Sequence, residues 1–166
     1  MYVFMITCYI LMVINCFNLL LCGAMGFLGF NTFSANHAQF SLFSILIFIL
    51  TETLVMYFFI ATGKSIKTIL SEQNHSKSGK IWEKVKYIKK IIFPQIMLTI
   101  LLVGGTYIFY FGYIKSSTIN DGAPLSWVQV PLYCIAIAHH VWSLKIKNDS
   151  FKMQIDLVNE MSAYTE

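Results

Sequence analysis

Apolar residues run along this chain in four long blocks, not in the short alternation of half-buried strands. A helix rising ~1.5 Å per residue needs about 20 such residues to cross a hydrocarbon core about 30 Å thick. The blocks Tyr2 to Phe30, Phe40 to Gly63, Ile91 to Ile114 and Leu125 to Leu144 all reach that length. The pattern predicts an all-α integral membrane four-helix bundle forming a single domain over 1–166. Between the second and third blocks, 64–90 reads as a cytoplasmic helical hairpin extension. Ile66, Ile69 and Leu70 prolong the second helix, Asn74 to Gly79 turn, and Ile81, Trp82, Val85 and Ile88 return at helical spacing. The tail 145–166 carries Phe151, Ile155, Val158 and Met161 on one stripe, which predicts a C-terminal amphipathic helix. That stripe needs a cover, and the hairpin helices, the membrane face and another subunit all qualify.

Composition supports the lipid reading. Of the 166 residues, 57% are hydrophobic and 12% charged, about half the charged share of a soluble domain, so too few polar side chains exist to coat a water-soluble globule. The first block reads as a membrane helix and not as a cleavable signal, because a basic start and a small-x-small site are missing and the block is too long. Cys8, Cys16, Cys22 and Cys134 lie in apolar stretches without metal or redox spacing, and read as small packing residues. No internal repeat of the kind that builds transporters is present.

Charge placement predicts the orientation. Eight lysines (Lys64, Lys67, Lys77, Lys80, Lys84, Lys86, Lys89 and Lys90) fall in the hairpin, and Lys145, Lys147 and Lys152 in the tail, against Lys115 alone on the opposite side. Lysine-rich short loops stay in the cytoplasm, so the hairpin and both termini are expected inside. Trp127, Tyr110, Phe111 and Tyr113 then mark the outer boundary, and Trp82 and Tyr87 the inner one. The hairpin lysines have two readings: a purely topogenic loop, or a surface for anionic headgroups or an acidic partner.

Residues 1–63 hold a single formal charge, Glu52, about 18 Å of helix above Lys64. An intramembrane carboxyl is either a proton- or cation-handling acid or a protonated hydrogen-bonding contact between helices. With no lysine expected within the membrane, Asn15 at similar depth is the predicted partner. Cys8, Asn15, Asn18, Cys22, Gly26 and Gly29 fall close to one face of the first helix, and Gly23, Gly26 and Gly29 predict close approach of another backbone, as Gly104 and Gly105 do in the third block. Gln95, beside Pro94, is a further hydrogen-bonding group. His139 and His140 lie near the inner boundary of the fourth block, where haem b ligation is one possibility. His37 is expected outside and His75 in the hairpin turn, so a bis-histidine haem within one chain is not expected. There is no H-E-x-x-H, no nucleophile elbow and no complete phosphate loop; Gly63-Lys64-Ser65 follows a membrane helix, not a strand.

The segment Met56-Tyr57-Phe58-Phe59-Ile60-Ala61-Thr62-Gly63-Lys64, followed by Ile66-Lys67, resembles the end of the second helix in a group of small uncharacterised bacterial four-helix membrane proteins. The stretch from His139 to Met161 is similar in character to their C-terminal part. In that group glycine is commoner where Ala61 stands and histidine where Glu52 stands, so no metal or haem site carries over. The resemblance implies a fold and a bacterial inner membrane, and no activity.

These readings converge on a non-catalytic integral membrane subunit that packs against other membrane subunits or itself, in contact with the bilayer and its anionic headgroups and with no nucleic acid. Two alternatives stand: a haem- or quinone-linked electron-transfer subunit, and a small proton- or ion-conducting oligomer with Glu52 in the path.

Overall fold

The first apolar block forms helix α1 (Tyr2–Leu28) with an inward face of Cys8, Met12, Asn15, Leu19, Cys22 and Met25, spaced three and four apart as a helix requires. Gly29 ends it in the left-handed conformation, φ 70°, which lacks the Cβ penalty only for glycine. Asn36 then opens helix α2 (His37–Gln73) with a reciprocal cap. Its side-chain oxygen accepts the Gln39 amide at 2.9 Å, and its own amide reaches Gln39 Oε1 at 3.0 Å. In the computed structural model, which describes residues 2–32, 34–73, 78–108 and 128–162, α2 runs unbroken past Gly63.

Helix α3 (Ser78–Thr99) contains Pro94 and passes directly into a π-helical turn, Ile100–Gly104. Helix α4 (Gln129–Ser162) is a single 34-residue element. It joins the predicted fourth span to the predicted tail helix without a break. The described residues contain no strand beyond one isolated bridge, Thr32 to Ala35. The predicted turn over Asn74 to Gly79 divides: residues 74–77 lie outside the described residues, and Ser78 and Gly79 are already helical. His75, Lys77, Lys115 and the expected outer-boundary residues Tyr110, Phe111, Tyr113 and Trp127 also lie outside them.

Among the described residues three helical stretches are long and apolar enough to cross a membrane, Val3–Leu28, His37–Glu72 and Ser78–Ile108, and α4, which carries the described part of the predicted fourth span, is not one of them. The four helices close a ring, with α1 on α2, α2 on α3, α3 on α4 and α4 back on α1. Inside it lie two apolar clusters. One gathers Cys8, Met12, Val55, Phe58, Phe59, Ile92, Ile96 and Phe151, and extends along Ile66, Ile81, Val85, Leu157 and Met161. The other gathers Leu19, Cys22, Met25, Phe40, Phe48, Val103, Tyr107, Tyr133 and Ala136. The tail stripe therefore finds its cover on α2 and the hairpin part of α3: Phe151, Leu157 and Met161 are buried there, while Ile155 and Val158 are half-buried.

The expectation of close backbone approach at the α1 glycines takes a different form. At Gly23 the space is filled by the Tyr133 side chain of α4, whose hydroxyl donates to the Leu19 carbonyl at 3.0 Å. A Cβ there would overlap the Tyr133 ring. Gly23→Ala is expected to expel Tyr133 and lose about 1–3 kcal/mol, as overpacked sites do. Unfolding of the purified variant in mixed micelles measures the loss, and parental stability would show that the ring yields freely.

Candidate functional site

Between the two apolar clusters every helix places a buried polar side chain. Along α1 Asn15 lies between Met12 and Leu19; along α2 Thr51 and Glu52 lie between Phe48 and Val55. Along α3 Thr99 lies between Ile96 and Val103, and along α4 His140, Ser143 and Lys147 lie between Ala136 and Phe151. Isolated polar groups in a dry interior each cost free energy unless paired, so four helices contributing to one level is not incidental packing.

The centre of this layer is an ion pair. Lys147 Nζ donates to Glu52 Oε1, and both residues are 0% exposed. This corrects two expectations. Glu52 has a buried lysine partner, and Asn15 is not hydrogen-bonded to it: both side-chain polar atoms of Asn15 lack a partner among the described residues. Because α4 continues as one helix, Lys147 is carried to the level of Glu52. Adjacent to the pair, the hydroxyls of Thr99 and Ser143 are 2.9 Å apart, joining α3 to α4. Thr99 Oγ1 also lies 2.7 Å from the Gln95 carbonyl; with one hydroxyl proton, Thr99 donates to that carbonyl and accepts from Ser143. The Gln95 side chain is half-buried with Oε1 unpartnered.

The polar residues of α4 form a continuous inward stripe: His140, Ser143, Lys147, Ser150 and Gln154 are all buried at alternating spacings of three and four. At ~1.5 Å per residue this seam is about 21 Å long. Beside it the Tyr9 hydroxyl of α1 donates to Asn148 Oδ1 at 2.7 Å. His140 packs edge-on to Phe48, with centroids 6.2 Å apart. His139 is half-buried against Trp142 at 5.7 Å, so the adjacent histidines face different surroundings. Sequence reasoning singled out Glu52 and His140 but missed Lys147, Ser143, Ser150 and Gln154. Their common helical spacing was the signal available.

The remaining candidates are dispersed. Asn18 lies at the edge of a groove formed with Phe17, Leu21, Gln39, Phe40 and Phe43. His37, expected outside, is buried at the start of α2, with Nε2 3.2 Å from the Cys22 carbonyl oxygen. Lys67 and Lys86 approach the Trp82 ring at 5.7 and 5.9 Å. The end of the Lys89 side chain occupies the space beside Gly63. Lys84 Nζ meets Glu160 Oε2 at 2.5 Å on the surface, tying α3 to the end of α4, and such exposed pairs contribute little stability. Lys64, Lys80 and Lys90 are exposed. Among the described residues no group of three or more His, Cys, Asp or Glu side chains is placed to hold a metal ion. Comparisons with protein-family models, with curated proteins and with solved structures gave no match.

Proposed function

We propose that this chain is a non-catalytic integral membrane subunit, a four-helix bundle of a bacterial inner membrane with both termini and the hairpin on the cytoplasmic side. Its work is to pack against other membrane subunits or a second copy. The observation that carries this reading is the outer stripe of α4. Lys145, Asp149, Lys152 and Asp156 are exposed at helical spacing, alternating in sign. Within the same stretch Asn148 is bonded to Tyr9, and Phe151 packs on Phe58 at 5.0 Å. The charged stripe therefore stands level with apolar parts of α1 and α2, whose outward residues include Ile6, Ile10, Val13, Tyr57 and Ile60.

Exposed apolar faces of that extent suit lipid, whereas ionised side chains at the same level do not. A protein neighbour with complementary charges satisfies both surfaces. The eight lysines of the hairpin segment 64–90 support the orientation. Extraction in mild detergent followed by native mass spectrometry is expected to find the chain in a stable assembly, and Lys145→Glu/Lys152→Glu is expected to release it. A clean monomer from the unaltered chain under native extraction overturns the reading.

A further inference from the structure

We propose that the buried polar layer is a proton-transfer site, in which Glu52 and Lys147 relay a proton through water held along the inner seam of α4. Three observations carry this beyond a static contact between helices. First, the seam does not stop at the ion pair: His140 and Ser143 precede Lys147 on α4, and Ser150 and Gln154 follow it, all buried. Two apolar clusters would be joined by one polar contact, whereas a seam about 21 Å long is the length scale of a path.

Second, the seam carries more hydrogen-bonding capacity than the protein uses. Among the described residues Glu52 Oε2, both ring nitrogens of His140, Ser150 Oγ and Gln154 Nε2 lack a partner. Buried polar atoms of this kind are satisfied by ordered water, and here they are spaced along one stripe where waters can connect them. Polar side chains continue from the other side of Phe48: Ser44 lies 3.7 Å from Cys22 Sγ, and Ser41 and His37 follow on the buried face of α2. The Phe48 ring lies between Tyr107, at 6.4 Å, and His140, at 6.2 Å. On the opposite side of the pair the Phe58, Phe59 and Phe151 rings crowd together at 5.0 to 5.3 Å. Aromatic barriers at both ends keep the pair from open contact with either end of the ring.

Third, the pair is electrically neutral in both of its proton arrangements. A proton arriving by water on the His140 side bonds to the Glu52 carboxylate, forming the acid and breaking the ion pair. The Lys147 ammonium then gives up a proton to seam water beside Ser150 and Gln154, leaving the amine. Transfer from the Glu52 acid to that amine restores carboxylate and ammonium. One proton has moved along the seam and every bond formed is matched by one broken.

The test is potential-driven acidification of vesicles containing the purified chain and an internal pH-sensitive dye. The unaltered chain is expected to acidify them faster than protein-free vesicles do. Glu52→Gln/Lys147→Met removes both titrating groups while leaving no unpaired buried charge, and its rate is expected to fall to that of protein-free vesicles. Its helical content and assembly are expected to stay parental. A parental rate in the double variant overturns the proposal, as does an unaltered chain no faster than empty vesicles, a result that does not depend on any variant folding. The assembly experiment reads the outer stripe of α4 and this one reads the interior, so the two proposals fail separately.

Discussion

Lys147→Met is expected to destabilise the folded chain by about 3–5 kcal/mol, because removing one partner of a buried pair leaves the other charge without its counter-ion. Lys147 Nζ is the donor on Glu52 Oε1, and Glu52 Oε2 has no partner among the described residues. Glu52→Gln is expected to cost a similar amount, since it strands the ammonium. The double variant Glu52→Gln/Lys147→Met is expected to return close to parental stability, as buried pairs replaced by neutral groups of similar volume do. Unfolding of all four proteins in mixed micelles gives the coupling directly. A double variant that loses the sum of the two single losses would show that the two side chains do not depend on each other.

Phe151→Ala is expected to cost about 3–5 kcal/mol, the usual loss when a buried aromatic side chain is cut to alanine and the cavity cannot close. Phe151 is 0% exposed and touches the rings of Phe58 at 5.0 Å, Phe59 at 5.1 Å and Tyr9 at 5.3 Å. Three helices therefore meet on this side chain. In a membrane the packing term dominates, because lipid chains are as apolar as the interior that the ring would leave. Phe17→Ala makes the control: Phe17 is 64% exposed on α1, and its truncation is expected to stay within about 0.5 kcal/mol. The same micelle unfolding measures both, and equal losses would show that burial at Phe151 does not set its contribution.

The helices themselves were legible in the hydrophobic pattern. Blocks of apolar residues longer than a bilayer crossing have no other stable form in a chain this short of polar residues, whereas the caps at Gly29 and Asn36, which bound the turn between the first two helices, were not read from the sequence. The importance of Glu52 was legible too, since a lone acid within such a block is costly wherever it lies. Its partner was not. Lysines were read as markers of the cytoplasmic boundary, a rule that holds for loops, and it placed Lys147 in the tail with Lys145, three residues beyond the fourth block. The two residues differ only in the face they occupy. Lys145 looks outward with Asp149 and Lys152, and Lys147 looks inward with Ser143 and Ser150. Phase along the helix, not position along the chain, separates them, and a count of charges per segment discards phase. Asn15 shows the complementary error. Matching depths on two helices made it a candidate partner, but depth leaves the angle about each helix axis undetermined, and that angle decides which side chains touch.

The order of the chain gives the buried pair a role in biogenesis. Translation delivers α2 well before α4, so the carboxylate is already installed when the ammonium emerges from the ribosome. In the proposed membrane setting, α4 on its own is a poor candidate for insertion, with Lys145, Lys147, Asp149 and Lys152 in its middle turns. Its entry becomes favourable only against a receptor formed by the earlier helices. A nascent chain whose earlier helices have misassembled would, in that setting, hold α4 out in the cytosol, where quality-control proteases can find it.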